Sequence, residues 1–137
     1  MKHYVLGFHF NQAADKVLLV HKLRPHWMEG MWNGLGGKIE ENEDPADAIH
    51  REAVEETGIV AVWKHKVTFV CPGGTVFVFT SIGPPIIILE QREDERKEIF
   101  EVSNLPDLVM HNLLWLIPLS MGNINFPILV NQTTLSV

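Results

Sequence analysis

The sequence predicts a layered α/β fold, a mixed sheet held between two helices, and three observations carry that reading. Strand-like apolar runs open the chain, an amphipathic segment with helix signals at both ends follows, and a second block of strand-like runs precedes a second helical segment. At 137 residues and 46% apolar content, the chain is expected to form one domain, residues 1–137, with a core of its own.

The opening "HYVLGFHFN" and the "KVLLVHKL" that starts at Lys16 flank "NQAAD" and read as two strands joined by a turn. "RPHWMEGMWNGLGG" is too rich in Gly, Pro and Trp for a helix; it reads as a loop of functional length entering a short strand near Leu35 to Ile39. Asp44 then offers an N-cap acceptor, Pro45 suits the first helical position, and Asp47 adds charge at the positive end of the dipole. Gly58 closes the same helix, and Ala46, Ile49 and Ala53 form its narrow apolar stripe.

"VWKHKVTFVC" and "TVFVFTSI" surround "PGG" and predict a hairpin. "PPIIILE" reads as an edge segment, because proline is confined to strand edges and ends. The charged run Glu90 to Glu98, "EQREDERKE", reads as a solvated loop or an exposed helical face. "IFEV" returns to strand, "LPDLVMHNLLWLIPLSMG" predicts a second helix broken near Pro118, and a tail follows.

Charge and composition exclude several functions. With 11 basic and 17 acidic residues the net charge is −6, so no basic stripe is expected for long nucleic acids. A small phosphorylated ligand is compatible if a divalent cation reverses the local sign. The chain has no apolar run long enough to cross a membrane, and its start lacks the features of a secretory signal. A lone cysteine, Cys71, reads as a half-buried strand residue, and a cytoplasmic monomer or homodimer is expected.

The densest chemistry lies on the first predicted helix. Glu52, Glu55 and Glu56 stand at i, i+3 and i+4, on one face beside the apolar stripe, where like charges repel. One reading is a solvated acidic face, with Arg51 relieving Glu55 at i+4. The other is a platform for a hard cation such as Mg²⁺, which takes oxygen ligands and shares itself with phosphates.

The surrounding pattern favours the second reading. Gly37, five residues, Glu43, seven residues, then Arg51-Glu52-Ala53-Val54-Glu55-Glu56-Thr57-Gly58-Ile59 resembles the Nudix box of the Nudix hydrolase family, with Ala53 where a larger aliphatic residue is usual. The resemblance implies the Nudix α/β/α sandwich and a MutT-like activity. That activity is metal-dependent hydrolysis of a nucleoside diphosphate linked to another group, with Mg²⁺ or Mn²⁺. It also implies Glu52, Glu55 and Glu56 as metal ligands, Gly37 as a carbonyl ligand, Arg51 as the group that orients a carboxylate, and Glu43 as its partner. Either Glu55 or Glu56 would serve as the base. Lys38, inside the box, has two readings, a phosphate contact or a solvated lysine. From the acidic tract, Glu93, Asp94 or Glu95 would add a further ligand if the tract is not simply solvated.

Outside the box, "WNGLGGK" resembles the approach to the box in MutT-like purine nucleoside triphosphatases, which makes Asn33 a base-reading candidate or else a turn residue. Lys22 is a phosphate-binding or a snorkelling lysine. In "HNLLWLIPL", Asn112 and His111 are further base readers, with an N-cap as the other reading of Asn112. Trp115 reads as core, and Trp27 and Trp32 as stacking candidates. No acid stands in "LVMHN" to mark an oxidised-purine specialist. The resulting expectation is hydrolysis of a purine nucleoside triphosphate to the monophosphate and pyrophosphate. ADP-ribose or a sugar nucleotide is the alternative substrate. A catalytically silent nucleotide-binding module is the alternative of another class, opposed by the intact box glutamates.

Overall fold

The computed structural model describes residues 2–84, 94–122 and 127–132. Its elements are β1 (His3–Phe10), β2 (Lys16–His21), a 3-10 turn (His26–Met28), β3 (Trp32–Asn33), β4 (Leu35–Lys38) and α1 (Pro45–Thr57). They are followed by β5 (Lys64–Cys71), β6 (Gly74–Ile82), β7 (Lys97–Glu101), α2 (Leu113–Met121) and β8 (Ile128–Asn131).

β1 explains the architecture. All its residues from Val5 to Phe10 are buried, the pattern of a strand covered on both faces. Leu6, Phe8 and Phe10 pack with Leu113, Leu116 and Ile117 of α2. Val5 belongs to a separate core with Leu18, Val20, Leu35 and Phe79, closed by Ala48, Ile49 and Ala53 of α1. The described strands form one mixed sheet ordered β3-β2-β1-β6-β5-β8, with β4 beside β1 and β7 beside β2. β1 and β6 run parallel, as do β5 and β8, and the other pairs are antiparallel. This is an α/β sandwich with one helix on each face of the sheet. No helix among the described residues is long and apolar enough to cross a membrane.

Both opening strands, the "PGG" hairpin and α1 fall where the sequence places them. Five points differ. The stripe of α1 runs through Ala48, Ile49 and Ala53, which face β4 and β1, and Ala46 is exposed. The second helix begins only at Leu113. Before it, Trp32 N donates to Leu108 O and Met110 N to Trp32 O, so the apolar run Leu108–Met110 pairs with β3 instead of coiling. Pro118 lies inside α2 without breaking it; the ring removes only the bond to Leu114 O, one turn from the helix start.

The charged run is not uniformly solvated either. Glu95 and Lys97 are buried, and β7 begins at Lys97 opposite Val20. Finally, the expected tail contains β8, whose Ile128–Asn131 backbone pairs with Val67–Val70. Residues 85–93, and with them most of "PPIIILE" and Glu93, lie outside the described residues.

Candidate active site

α1 is anchored at both ends by its own sequence. Asp44 accepts from Asp47 N at 2.9 Å, Pro45 occupies the first turn, and Gly58 adopts φ 75° while its N–H reaches Val54 O. The rotation fixed by Ala48, Ile49 and Ala53 grades the three glutamates by depth. Glu56 is 3% exposed, Glu52 is half-buried, and Glu55 faces solvent.

Arg51 ties the site together. Its Nε donates to Glu43 Oε2 at 2.8 Å and Nη2 to Glu43 Oε1 at 3.0 Å, a two-point fork. Nη1 donates to Glu52 Oε1 at 3.0 Å and to Glu55 Oε2 at 3.3 Å, and Nη2 also reaches Lys38 O at 3.2 Å. Hydrogen bonding to Glu43 raises the Arg51 pKa further above its ordinary value, and the same bond holds the Glu43 carboxyl below its own.

Glu52 behaves differently. Burial raises its carboxyl above the ordinary carboxylate value, against the opposing pull of hydrogen bonds from Arg51 and with Glu56. Glu52 and Glu56, one turn apart on α1, are both withdrawn from solvent, and two such carboxyls repel when both are charged. On the other side of Glu52 lies β4. A Cβ on Gly37 would sit 2.5 Å from Glu52 Oε1, so only glycine leaves the strand backbone open to this carboxylate. Among the described residues, no three His, Cys, Asp or Glu side chains already converge as a metal cluster. Glu55 is turned instead to Arg51.

The sequence-derived binding residues separate into two groups. Asn33 and the His111–Asn112 pair are brought to one region, because Leu108–Met110 runs beside β3 and delivers the pair to the strand that carries Asn33. Asn33 Oδ1 accepts from Gly34 N at 2.8 Å, and its Nδ2 lies 3.9 Å from Met28 Sδ. Asn112 makes no side-chain cap, and its Oδ1 is buried without a hydrogen-bond partner. His111 lines a cleft of about 560 Å³ between α2 and the preceding loop.

Lys22 and Lys38 do not join this group. Lys22 Nζ is paired with Glu95 Oε1 at 3.0 Å, and Glu95 Oε2 takes the Leu23 amide at 2.7 Å. Burial alone would raise Glu95, but the Leu23 amide and the Lys22 ammonium together hold it below the ordinary value. Lys38 is exposed, and strand alternation puts it on the face opposite Gly37.

Asp94 is bound by Arg24, with Oδ2 at 2.8 Å from Nη2. Trp32 is core, edge-on to Phe100, whereas Trp27 is 67% exposed. Trp115 packs edge-on against Phe69, and Cys71 is a free, half-buried strand residue. Sequence reasoning missed Glu95 and Lys97 as buried charges. The signal was their i, i+2 spacing ahead of "IFEV", which continues the strand two residues upstream.

A family model described as the NUDIX domain matches residues 2–113. The chain belongs to the Nudix family. Among its Nudix relatives, the uncharacterized Nudix hydrolase YvcI of Bacillus subtilis is 32% identical, over 69% of this chain and 66% of its own. The oxidized purine nucleoside triphosphate hydrolase of Mus musculus is 47% identical over 53 residues, 39% of this chain and 33% of its own. The match therefore spans 66% and 33% of the length of these curated relatives. The fold is similar to that of the mutator MutT protein of Bacillus halodurans, with a TM-score of 0.70 at 23% identity over 97% of this chain and 88% of the other. In this MutT-like Nudix frame, the box from Gly37 to Ile59 spans the end of β4, the Arg51–Glu43 fork and all of α1.

Proposed function

We propose that residues 1–137 form a single Nudix hydrolase domain that splits the phosphoanhydride of a purine nucleoside triphosphate, giving the monophosphate and pyrophosphate. The observation that carries this reading is the Glu52 carboxyl, held between Gly37, Arg51 and Glu56 at the sheet-facing side of α1. Two carboxyls one turn apart, beside an open glycine backbone, form an oxygen donor set suited to Mg²⁺ or Mn²⁺.

Glu52, Glu56 and the Gly37 carbonyl would hold that cation, with Glu55, now bonded to Arg51, as the further ligand it would recruit. When bound, the cation supplies screening of the diphosphate charge and acidifies a nearby water. The chain's own groups do the rest. Arg51 keeps Glu52 in place through its fork on Glu43. Glu56, buried beside Glu52, is the carboxylate placed to take a proton away from bulk solvent. Asn33, with the His111–Asn112 pair brought beside it, offers amide groups to a purine edge, and exposed Trp27 offers a face for stacking.

The triphosphate choice is supported by the mouse relative, an oxidized purine nucleoside triphosphate hydrolase that is 47% identical over 53 residues. The test is a panel of triphosphates, oxidised purine triphosphates, ADP-ribose and sugar nucleotides with Mg²⁺. Pyrophosphate release from triphosphates is expected; AMP and ribose phosphate from ADP-ribose would move the assignment there. Glu56→Gln should abolish turnover with the fold intact, and full turnover in that variant would remove the site assignment.

A further inference from the structure

Lys97 is a buried ammonium that lacks a hydrogen-bond partner among the described residues. It opens β7 and is 3% exposed. Register fixes where it stands. Lys97 is opposite Val20, and Val20 is opposite Asn33 on its other side, so the three share one row across β7, β2 and β3. Directly opposite residues of antiparallel strands project from one face. Val20 belongs to the core under α1, so Lys97 and Asn33 are on the side of the sheet where Glu52 meets Gly37.

The two described carboxylates just before it in sequence are committed elsewhere. Glu95, two residues earlier, gives Oε1 to Lys22 and Oε2 to the Leu23 and Arg24 amides. Asp94 feels the Lys97 charge but is gripped by both terminal nitrogens of Arg24, at 2.8 and 3.1 Å. An ammonium removed from water without an acceptor is costly, and truncation to an apolar chain would relieve it. Retaining the charge makes physical sense when an anion arrives from outside. Access is available, since the Arg24–Asp94 pair that borders Lys97 is largely exposed on both sides and solvent reaches this edge of the site.

We propose that Lys97 Nζ is a phosphate-binding group of this site, contacting non-bridging oxygens of the substrate's polyphosphate on the α1 side of the sheet. This inference rests on the hydrolase reading and extends it: of the two lysines read from sequence as phosphate candidates, Lys22 is paired with Glu95 and Lys38 lies on the sheet face opposite Gly37, and Lys97 offers a third. A base carbonyl would accept a hydrogen bond from Lys97 but leave its charge unbalanced, whereas a phosphoryl oxygen does both.

Two measurements test it on the full chain. In kinetics with Mg²⁺ and the best triphosphate, Lys97→Met should raise KM about ten- to hundredfold, the worth of a charged hydrogen bond, with kcat far less affected. Lys97→Arg should recover most of the affinity. In calorimetry with inorganic tripolyphosphate, the wild type should bind and Lys97→Met should bind at least about tenfold more weakly. Methionine fills the same space without charge, so its thermal stability should equal or exceed that of the wild type. Unchanged KM and unchanged tripolyphosphate binding in a folded Lys97→Met protein overturn the proposal. A wild type that hydrolyses no diphosphate overturns the hydrolase reading instead, and the calorimetric comparison then decides on Lys97 alone.

Discussion

Glu52 and Gly37 are so close that one methyl group separates order from collision: a Cβ at residue 37 would lie 2.5 Å from Oε1 and 2.8 Å from Cδ of the carboxyl. The obstructed atoms belong to the end of a flexible side chain, so Gly37→Ala should fold and displace Glu52. An ångström-scale misplacement of a reacting group lowers rate by about 100-fold. Initial rates should show that loss while the melting temperature stays within a few degrees; the reverse result would make Gly37 a structural glycine only.

The fork between Arg51 and Glu43 joins the loop before α1 to the helix itself, with Glu43 also accepting from Glu40 N. Lysine can reach one oxygen but cannot reproduce the two-point geometry. Arg51→Lys should therefore lower unfolding free energy by about 1–3 kcal/mol in urea titration. It should also weaken activity, because Glu52 loses the donor that fixes it.

Glu95 fastens the segment after β2. Removing it leaves the Lys22 ammonium and the Leu23 amide without their acceptor, and breaking a largely buried ion pair costs about 3 kcal/mol. Glu95→Ala should lose stability on that scale, with faster amide hydrogen exchange at Leu23. Glu95→Gln, which keeps an acceptor, should lose less.

Two histidines make stability depend on pH. Burial lowers the pKa of His9, whose Nδ1 lies 2.6 Å from Ser81 Oγ. Burial likewise lowers that of His65, against a raising contact with Val67 O. Below about pH 6.5 the unfolded chain takes up protons at these positions that the folded one refuses, so stability falls with pH until the folded values are passed. Above that range the two groups contribute no slope. Denaturation midpoints measured from pH 8 to 5 should fall toward acid, and His9→Gln should flatten part of that decline.

What the sequence made legible was mostly local. Asp44-Pro45 and Gly58 mark the ends of α1 without any tertiary information, and the box spacing places Arg51 and the glutamates on it. The depth ordering of Glu52, Glu55 and Glu56 was not legible, since it depends on which stripe the sheet selects, and Ala48 displaced Ala46 there. The pairing of Lys22 with Glu95 spans 73 positions, beyond any periodicity. Leu108–Met110 had the composition of a helix and became a partner of β3, a case of tertiary pairing overriding local preference.

β1 alternates its side chains between the two cores, Val5 toward α1 and Leu6, Phe8 and Phe10 toward α2. Inserting or deleting one residue there would exchange the two sets and empty both hydrophobic compartments at once. Growth and shrinkage of this chain are thereby steered away from β1 toward connectors such as the turn at Gln12 and Ala13, whose side chains are exposed and whose flanks the Asn11 carboxamide holds through the Asp15 and Lys16 amides.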